Sequence, residues 1–321
     1  MNAPLVSVLT PCYNVAPWLE AAVASVRAQT WRRYEIILVD DGSTDDTLAV
    51  ANRLAGPDLK VLHQPNGGQC AAFNAAYREA QGDFIEYFDA DDLLHPRKLE
   101  VQLARIAALP PGWVASGAWA RFHQNTEETV FEPEAVWRDA DPVDWLVTSW
   151  SGGGMMHGAA WLAPRTVAAA AGPWDERLSL INDFDFFSRL LLASQGVAFC
   201  PDARSYYRSG LPGSLSNHTS RRAWDSAFLS TELGTKSLLA REDSPRTRRA
   251  AAINWQRLVY SAYPLVPDLV AAAEARVLAL GGSDLELGGG RTFQVLRGIF
   301  GWKIARHAQL LRQRLIPRRS P

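Results

Sequence analysis

Three carboxylates fall within four residues, Asp89, Asp91 and Asp92, at the end of DFIEYFDADDLL (83–94), a run that otherwise reads as a buried strand. A second acidic pair, Asp40-Asp41, closes the aliphatic run YEIILVD (34–40) and leads into Gly42-Ser43. Carboxylates this close repel each other and stay ionised together only when positive charge lies between them. The ion suited to such an oxygen-rich site is a hard divalent cation, Mn2+ or Mg2+, shared between one or two carboxylates and substrate phosphates. Alternate residues of an extended chain point the same way, so Asp89 and Asp91 can serve one ligand with Ala90 between them. Taken alone, such a triplet is more often a plain acidic surface turn.

These acids need elements to hold them. Residues 5–10 (LVSVLT) read as a short strand stopped by Pro11, and 17–29 have helical spacing with Leu19, Val23 and Val26 on one face. Strand 34–40 follows, and Ser43 with Asp46 forms a capping pattern that predicts a helix over 44–54. A strand at 60–64, a helix at 69–80, a strand at 83–88, a helix from Pro96 to about 108 and a strand at 113–122 complete the first half. This alternation means βαβ units and a mostly parallel sheet with flanking helices, an α/β fold. In such sheets ligands bind outside the carboxyl ends of the strands, where both acidic clusters fall. The second half is less regular. Residues 141–150 read as a helix, 150–158 (WSGGGMMHG) as a mobile loop, 159–163 as a strand, with helices from 164 to Gly172 and over 183–195. The helix at 183–195 sets Phe184, Phe187, Leu190 and Leu191 on its apolar face. Beyond 217 the pattern is helical, over 221–241, 246–262, 267–280 and 292–315, which places a domain boundary there: 1–217, then 218–321.

Composition narrows the function classes. The 321 residues, 47% hydrophobic and 21% charged, suit a globular chain with a sizeable core. Net charge is −1, which gives no case for a nucleic-acid partner, but residues 291–321 carry eight Lys/Arg and no Asp/Glu. Cys12, Cys70 and Cys200 are far apart and form no CxxC pair, so neither a zinc site nor a disulfide framework is expected; their scarcity fits a reducing cytoplasm. No signal peptide and no membrane-spanning run is read. Twelve Trp imply either broad packing surfaces or a groove for a ring-shaped ligand. TPCYNVAP stands where a dinucleotide-binding chain would carry G-x-G-x-x-G, and neither a P-loop nor G-x-S-x-G occurs.

Five stretches, in order, carry a resemblance: VSVLTPCYN (6–14), YEIILVDDGSTDDT (34–47), NGGQCAAFNAA (66–76), GDFIEYFDADDLL (82–94) and GPWDERLSLINDFDFFSRLL (172–191). Together they resemble the family 2 glycosyltransferases of the GT-A fold, over roughly residues 5–216. The resemblance implies a nucleoside-diphosphate sugar donor, a divalent cation and inversion at the transferred sugar. It implies that Pro11, Tyr13 and Asn14 open the nucleotide pocket and that Asp41 meets the base or ribose, with Asp40 the alternative. Asn74 and Ala90 join the donor-binding set, Asp89 lies near ribose and metal, Asp91 and Asp92 take metal and diphosphate, and Asp183 is the catalytic base. Arg208 and Ser214/Ser216 match a segment that closes over the diphosphate. His157 could touch acceptor or diphosphate and His218 could join the metal shell, though a lone histidine is more often structural.

Two positions depart from the family pattern. Asn182 stands where Glu is usual, which leaves Asp183 without an acidic neighbour and lowers its expected pKa relative to a Glu-Asp pair. Phe73 stands where many relatives carry Arg, removing one phosphate contact. A nucleotidyltransferase is the rival enzyme class, but its Gly-rich basic opening loop is missing. A non-enzymatic binding module would need these acids disabled, and all are present. The basic tail, with Phe293, Leu296, Phe300, Ile304, Leu311 and Leu315 among its cations, has two readings. One is a helix on an anionic membrane surface near a lipid-linked acceptor, on the cytoplasmic inner face; the other is a helix packed on the catalytic domain. The family association is with glycan or glycolipid assembly, and the base, sugar and acceptor are not fixed by these residues.

Overall fold

The structure, a computed structural model, describes residues 3–127, 129–155, 157–211 and 219–315. The chain opens with β1 (Val6–Cys12), α1 (Ala16–Arg27), β2 (Tyr34–Asp40), α2 (Thr47–Leu54), β3 (Leu59–His63), α3 (Gln69–Glu79) and β4 (Phe84–Tyr87). It continues through β5 (Leu93–Leu94), α4 (Lys98–Ala107), β6 (Trp113–Phe122), α5 (Pro142–Thr148), β7 (Ala163–Pro164), α6 (Arg165–Ala171), α7 (Asn182–Ala193) and β8 (Gly196–Arg208). Helices α8 (Arg221–Arg241), α9 (Pro245–Ala262), α10 (Pro267–Ala279), α11 (Arg291–Phe300) and α12 (Trp302–Leu315) complete it.

The main sheet has the order β3-β2-β1-β4-β7, parallel except for the short edge strand β7. Its central strands are aliphatic throughout, as burial on both faces requires, and Val6, Val8, Leu9, Ile36, Leu38 and Ile85 are fully enclosed. Register aligns the strand exits: Cys12 pairs with Asp40, Asp40 with His63, and Leu9 with Tyr87. The loops that carry Asp41 and Asp89 therefore leave one edge of the sheet. Pro11 does not stop β1. Leu9 O accepts from Phe88 N at 2.9 Å and Cys12 O from Asp41 N at 2.8 Å, so the alternation turns Pro11 toward the side β4 has already left. A missing N–H costs nothing there.

A second sheet, β5-β8-β6, was not legible in full, because β8 was not expected as a strand. β8 pairs in parallel with β6, with the register shifting between Gly117 and Trp119 to absorb the Pro201-Asp202 stretch. Other expectations change locally. Ser43 and Asp46 do not cap α2: the helix starts at Thr47, and Ser43 Oγ instead accepts from Asn14 N at 3.1 Å. Part of the expected mobile loop is a helical turn, Ser149–Gly153, seated by Trp150 stacked on Phe184 with ring centres 4.7 Å apart. The single helix expected at 292–315 is two, because Gly301 adopts φ 80° between α11 and α12.

Two compact units are present, one ending at Thr247 and one beginning at Arg248. The first extends beyond the boundary expected at 217 because α8 packs along α7, where Gly234 leaves room for Phe184: a Cβ there would come 2.5 Å from its ring. Among the described residues no helix is long and apolar enough to cross a membrane.

Candidate active site

β2 delivers Asp40 and Asp41 to the edge. Asp40 is buried and its Oδ2 meets His63 Nδ1 at 2.8 Å. Asp41 Oδ1 accepts from Gln64 Nε2 and Gly67 N, and Oδ2 from Gly68 N, all at 2.7–2.8 Å. The carboxylate thus shapes the glycine turn ahead of α3 and keeps one acceptor site on Oδ2. Gly42 follows because φ is +70° and a Cβ would come 2.7 Å from Asn66 N.

Tyr13 is exposed at the exit of β1, beside half-buried Pro11. Asn14, at φ 54°, is a latch between two loops. Its Oδ1 accepts from Thr44 N at 2.8 Å and Asp45 N at 3.3 Å. Asn74, expected on the donor, spends its amide elsewhere. It donates to Trp174 O and Glu176 Oε1 and accepts from Trp174 N, each at 2.9 Å, which ties α3 to the segment before α7. Phe73 explains itself: it stacks on Trp174 at 4.7 Å, and Trp174 stacks on Phe186 at 4.0 Å. An arginine here would interrupt an aromatic cluster, and the Trp residues at this end serve packing.

The acidic triplet splits by environment. Asp89 and Asp91 are half-buried at the edge with Ala90 enclosed between them, and Asp92 is wholly buried. Asp92 Oδ1 accepts from Arg208 N at 2.8 Å, and Arg208 Nε donates to Asp91 O at 2.7 Å. Its Oδ2 faces His157 Nδ1 at 3.5 Å, while His157 Nε2 meets Ser205 Oγ at 2.9 Å. β8, the unexpected strand, therefore braces the triplet with Ser205 and Arg208. Asp89 Oδ1 accepts from Gln69 Nε2 at 2.8 Å, and Gln69 Oε1 accepts from Asn182 Nδ2 at 2.9 Å. Asn182, the departure from the family pattern, thus links the first turn of α7 to the triplet. Sequence reasoning missed Gln69, although it lies within NGGQCAAFNAA, and Ser205, since a neutral side chain carries no signal of its partner.

The electrostatics point one way. Burial, then the charges of Asp92, Asp91 and Asp183, pushes Asp89 well above the usual carboxylate range. Burial raises Asp91, and burial with Asp91 raises Asp92. Burial also raises Asp183, so the loss of an acidic neighbour at Asn182 does not leave it an ordinary acid. His157 moves the opposite way, to about 3, because burial and the charges of Lys98 and Arg121 disfavour its cation. A neutral His157 leaves the acids short of positive charge. A divalent cation would supply it, and half-buried Asp89 and Asp91 are the carboxylates that would hold one. Among the described residues no three His, Cys, Asp or Glu side chains form a cage, so substrate phosphates would complete the shell. His218, Ser214 and Ser216 lie outside the described residues.

Asp183 sits in the first turn of α7, after Ile181 in the left-handed region at φ 50°, ψ 36°. For a β-branched residue that conformation costs about 1–2 kcal/mol.

A mostly parallel sheet with an acidic edge, a second sheet and a following helical region make up a GT-A-type fold. Comparison with known proteins agrees. Residues 7–162 match the model of glycosyl transferase family 2. An uncharacterized glycosyltransferase of Haemophilus influenzae is 40% identical over 106 residues, 32% of this chain and 42% of that protein. A hyaluronan synthase of Pasteurella multocida is 42% identical over 104 residues, 32% of this chain and 11% of the synthase. An uncharacterized glycosyltransferase of Rickettsia typhi is 28% identical over 197 residues, 60% of each chain. The chain thus spans less than two thirds of the length of each of these relatives. The structure of S. aureus TarS 1–349 in complex with UDP-GlcNAc superposes with a TM-score of 0.63 at 15% identity, covering 96% of this chain and 92% of that one. The similarity to glycosyl transferase family 2 thus covers residues 7–162, just under half of the chain.

Proposed function

We propose that the chain transfers a sugar from a nucleoside-diphosphate sugar to an acceptor hydroxyl, with inversion and dependence on Mn2+ or Mg2+. The observation that carries this reading is the shared strand edge: register brings the Asp41 and Asp89 loops together, and Asn182 through Gln69 ties α7 to Asp89. Asp183 takes the proton of the acceptor hydroxyl as its oxygen bonds to the anomeric carbon. The bond from that carbon to the diphosphate breaks, and its electron pair leaves with the diphosphate. Asp183's raised affinity for protons suits it to this role. A cation held by Asp89 and Asp91 would neutralise charge on the departing diphosphate. Asp92 holds Arg208 in place, Asp41 offers its remaining lone pair to base or ribose, and Tyr13 and Pro11 flank the nucleotide. Two neighbouring structures hold UDP-GlcNAc and UDP, which supports a uridine-type donor, and relatives named hyaluronan synthase and chondroitin synthase support a glycan acceptor.

A lipid-linked acceptor fits the tail. Val295, Ile299, Phe300, Ile304 and Leu311, on α11 and α12, are all more than half exposed, and the sequence from 291 to 321 carries eight Lys/Arg and no acid. We assign this surface to the anionic cytoplasmic face of a bilayer. The central reading is tested by incubating the full chain with UDP-N-acetylglucosamine and Mn2+ and measuring UDP release. Release should stop with EDTA and with Asp91→Asn. Release that persists at the wild-type rate in EDTA overturns the metal dependence.

A further inference from the structure

Ile181 is held in its unfavourable conformation by groups from one helix. Ser226 and Ser230 sit one turn apart on α8, both buried. Ser230 Oγ donates to Ile181 O at 2.7 Å and accepts from Asp185 N at 3.2 Å, so one hydroxyl spans the residues on either side of Asn182-Asp183-Phe184. Ser226 Oγ donates to Leu180 O at 3.0 Å and accepts from Ser179 N at 2.7 Å. Both hydroxyls are used as donor and as acceptor, and Phe184 N closes the turn on Ile181 O at 3.2 Å. Isoleucine is a poor residue for φ 50°, so its own preference would unwind this turn and swing Asp183 with it.

We propose that Ser226 and Ser230 are positioning residues: they clamp the strained Ile181 turn and thereby fix Asp183 at the start of α7. The catalytic part rests on Asp183 acting as the base; the clamp itself does not. The helix supplying the clamp lies outside the stretch that resembles the family, and serine hydroxyls inside a helix carry no sequence signal. Replacing Ile181 by a residue tolerant of the left-handed region should make the clamp dispensable. Asparagine is such a residue, and Ile181 is 38% exposed, so little packing is lost.

The test uses the full chain as Ser230→Ala, Ile181→Asn and the double variant. Amide hydrogen exchange is read at Phe184 and Asp185, and UDP release from UDP-N-acetylglucosamine with Mn2+ gives kcat and KM. Ser230→Ala should speed exchange at Phe184, whose N–H bonds Ile181 O, by roughly tenfold or more and lower kcat by a similar factor with donor KM held. Adding Ile181→Asn should recover most of both. Unchanged exchange in Ser230→Ala overturns the clamp, and so does a double variant no better than the single. Faster exchange with unchanged kcat overturns the positioning role, provided Asp183→Asn is inactive. If Asp183→Asn matches the wild type, the base assignment has failed instead, and exchange alone decides the clamp.

Discussion

At the scale of single residues, like carboxylates end in unlike surroundings. Asp183 is raised by burial, and Asp89 is raised by burial and by three neighbouring acids. Asp183→Asn keeps the shape and removes the proton acceptor. Turnover should fall to below about a tenth of wild type, a loss of more than roughly 1.4 kcal/mol in transition-state stabilisation. The thermal shift produced by UDP with Mn2+ should stay near its wild-type size, because donor contacts are untouched. A variant that loses the UDP shift, or keeps more than a tenth of turnover, contradicts the base role. A second carboxylate tests pH. Glu86 is buried 2.5 Å from Lys98 Nζ, and burial raises its pKa from 4.5 to about 7 despite that cation. The folded state then binds a proton more tightly than the unfolded chain between those values. This contribution to stability therefore falls as pH rises from 4.5 through 7. Glu86→Gln should flatten that part of the profile in urea titrations at pH 5, 6 and 7; an unchanged slope rules the explanation out. The acids could be found in the sequence because each interrupts an apolar run. Gln69, Ser226 and Ser230 could not, since their importance lies only in which distant group they meet.

At the scale of elements, local pattern fixed what was locally encoded. The aliphatic strands β1, β2 and β4 and helix α8 lie within a few residues of expectation because period and composition agree there. β8 was invisible because Pro201-Asp202 and Arg204 break its apolar run, and pairing with β6 overrides weak local preference. The Ser43/Asp46 capping pattern misled for a related reason: Ser43 found Asn14, a partner 29 residues away, instead of its own helix. The shift in register has a testable requirement. A Cβ on Gly117 would stand 2.0 Å from Ala203 O, a backbone atom that cannot turn aside. Gly117→Ala should cost roughly 2–3 kcal/mol or more, since the strands must part. The urea midpoint should fall with the m-value unchanged. Because β8 also carries Ser205 and Arg208 onto His157 and Asp92, UDP release should drop more steeply than stability at 25 °C predicts. A variant within 0.5 kcal/mol of wild type, an order-of-magnitude threshold for silent substitutions, contradicts the close packing of these strands.

For the whole molecule, the two compact units divide the chemistry. The unit ending at Thr247 holds the acidic edge, and the unit beginning at Arg248 ends in helices that leave Val295, Ile299, Phe300, Ile304 and Leu311 exposed. Val295 and Ile299 lie one turn apart on α11, and Ile304 and Leu311 two turns apart on α12, each pair on one face. Burying such a face stabilises by about 25 cal/mol per Å2, and each cation near an anionic surface adds roughly 1 kcal/mol. Lys303 and Arg297 are engaged with Glu274 and Glu286 at 2.8 Å, so the apolar side chains and the remaining arginines would carry most of the attraction. The full chain should sediment with phosphatidylglycerol vesicles and much less with phosphatidylcholine vesicles, and the difference should shrink in high salt. Ile299→Glu with Ile304→Glu should abolish sedimentation while leaving UDP release in solution unchanged. Deleting 291–321 should do the same. If the double variant sediments as the wild type does, the bilayer is not what covers this face. If it instead turns a dimer into a monomer, the face is a contact between two copies of the chain.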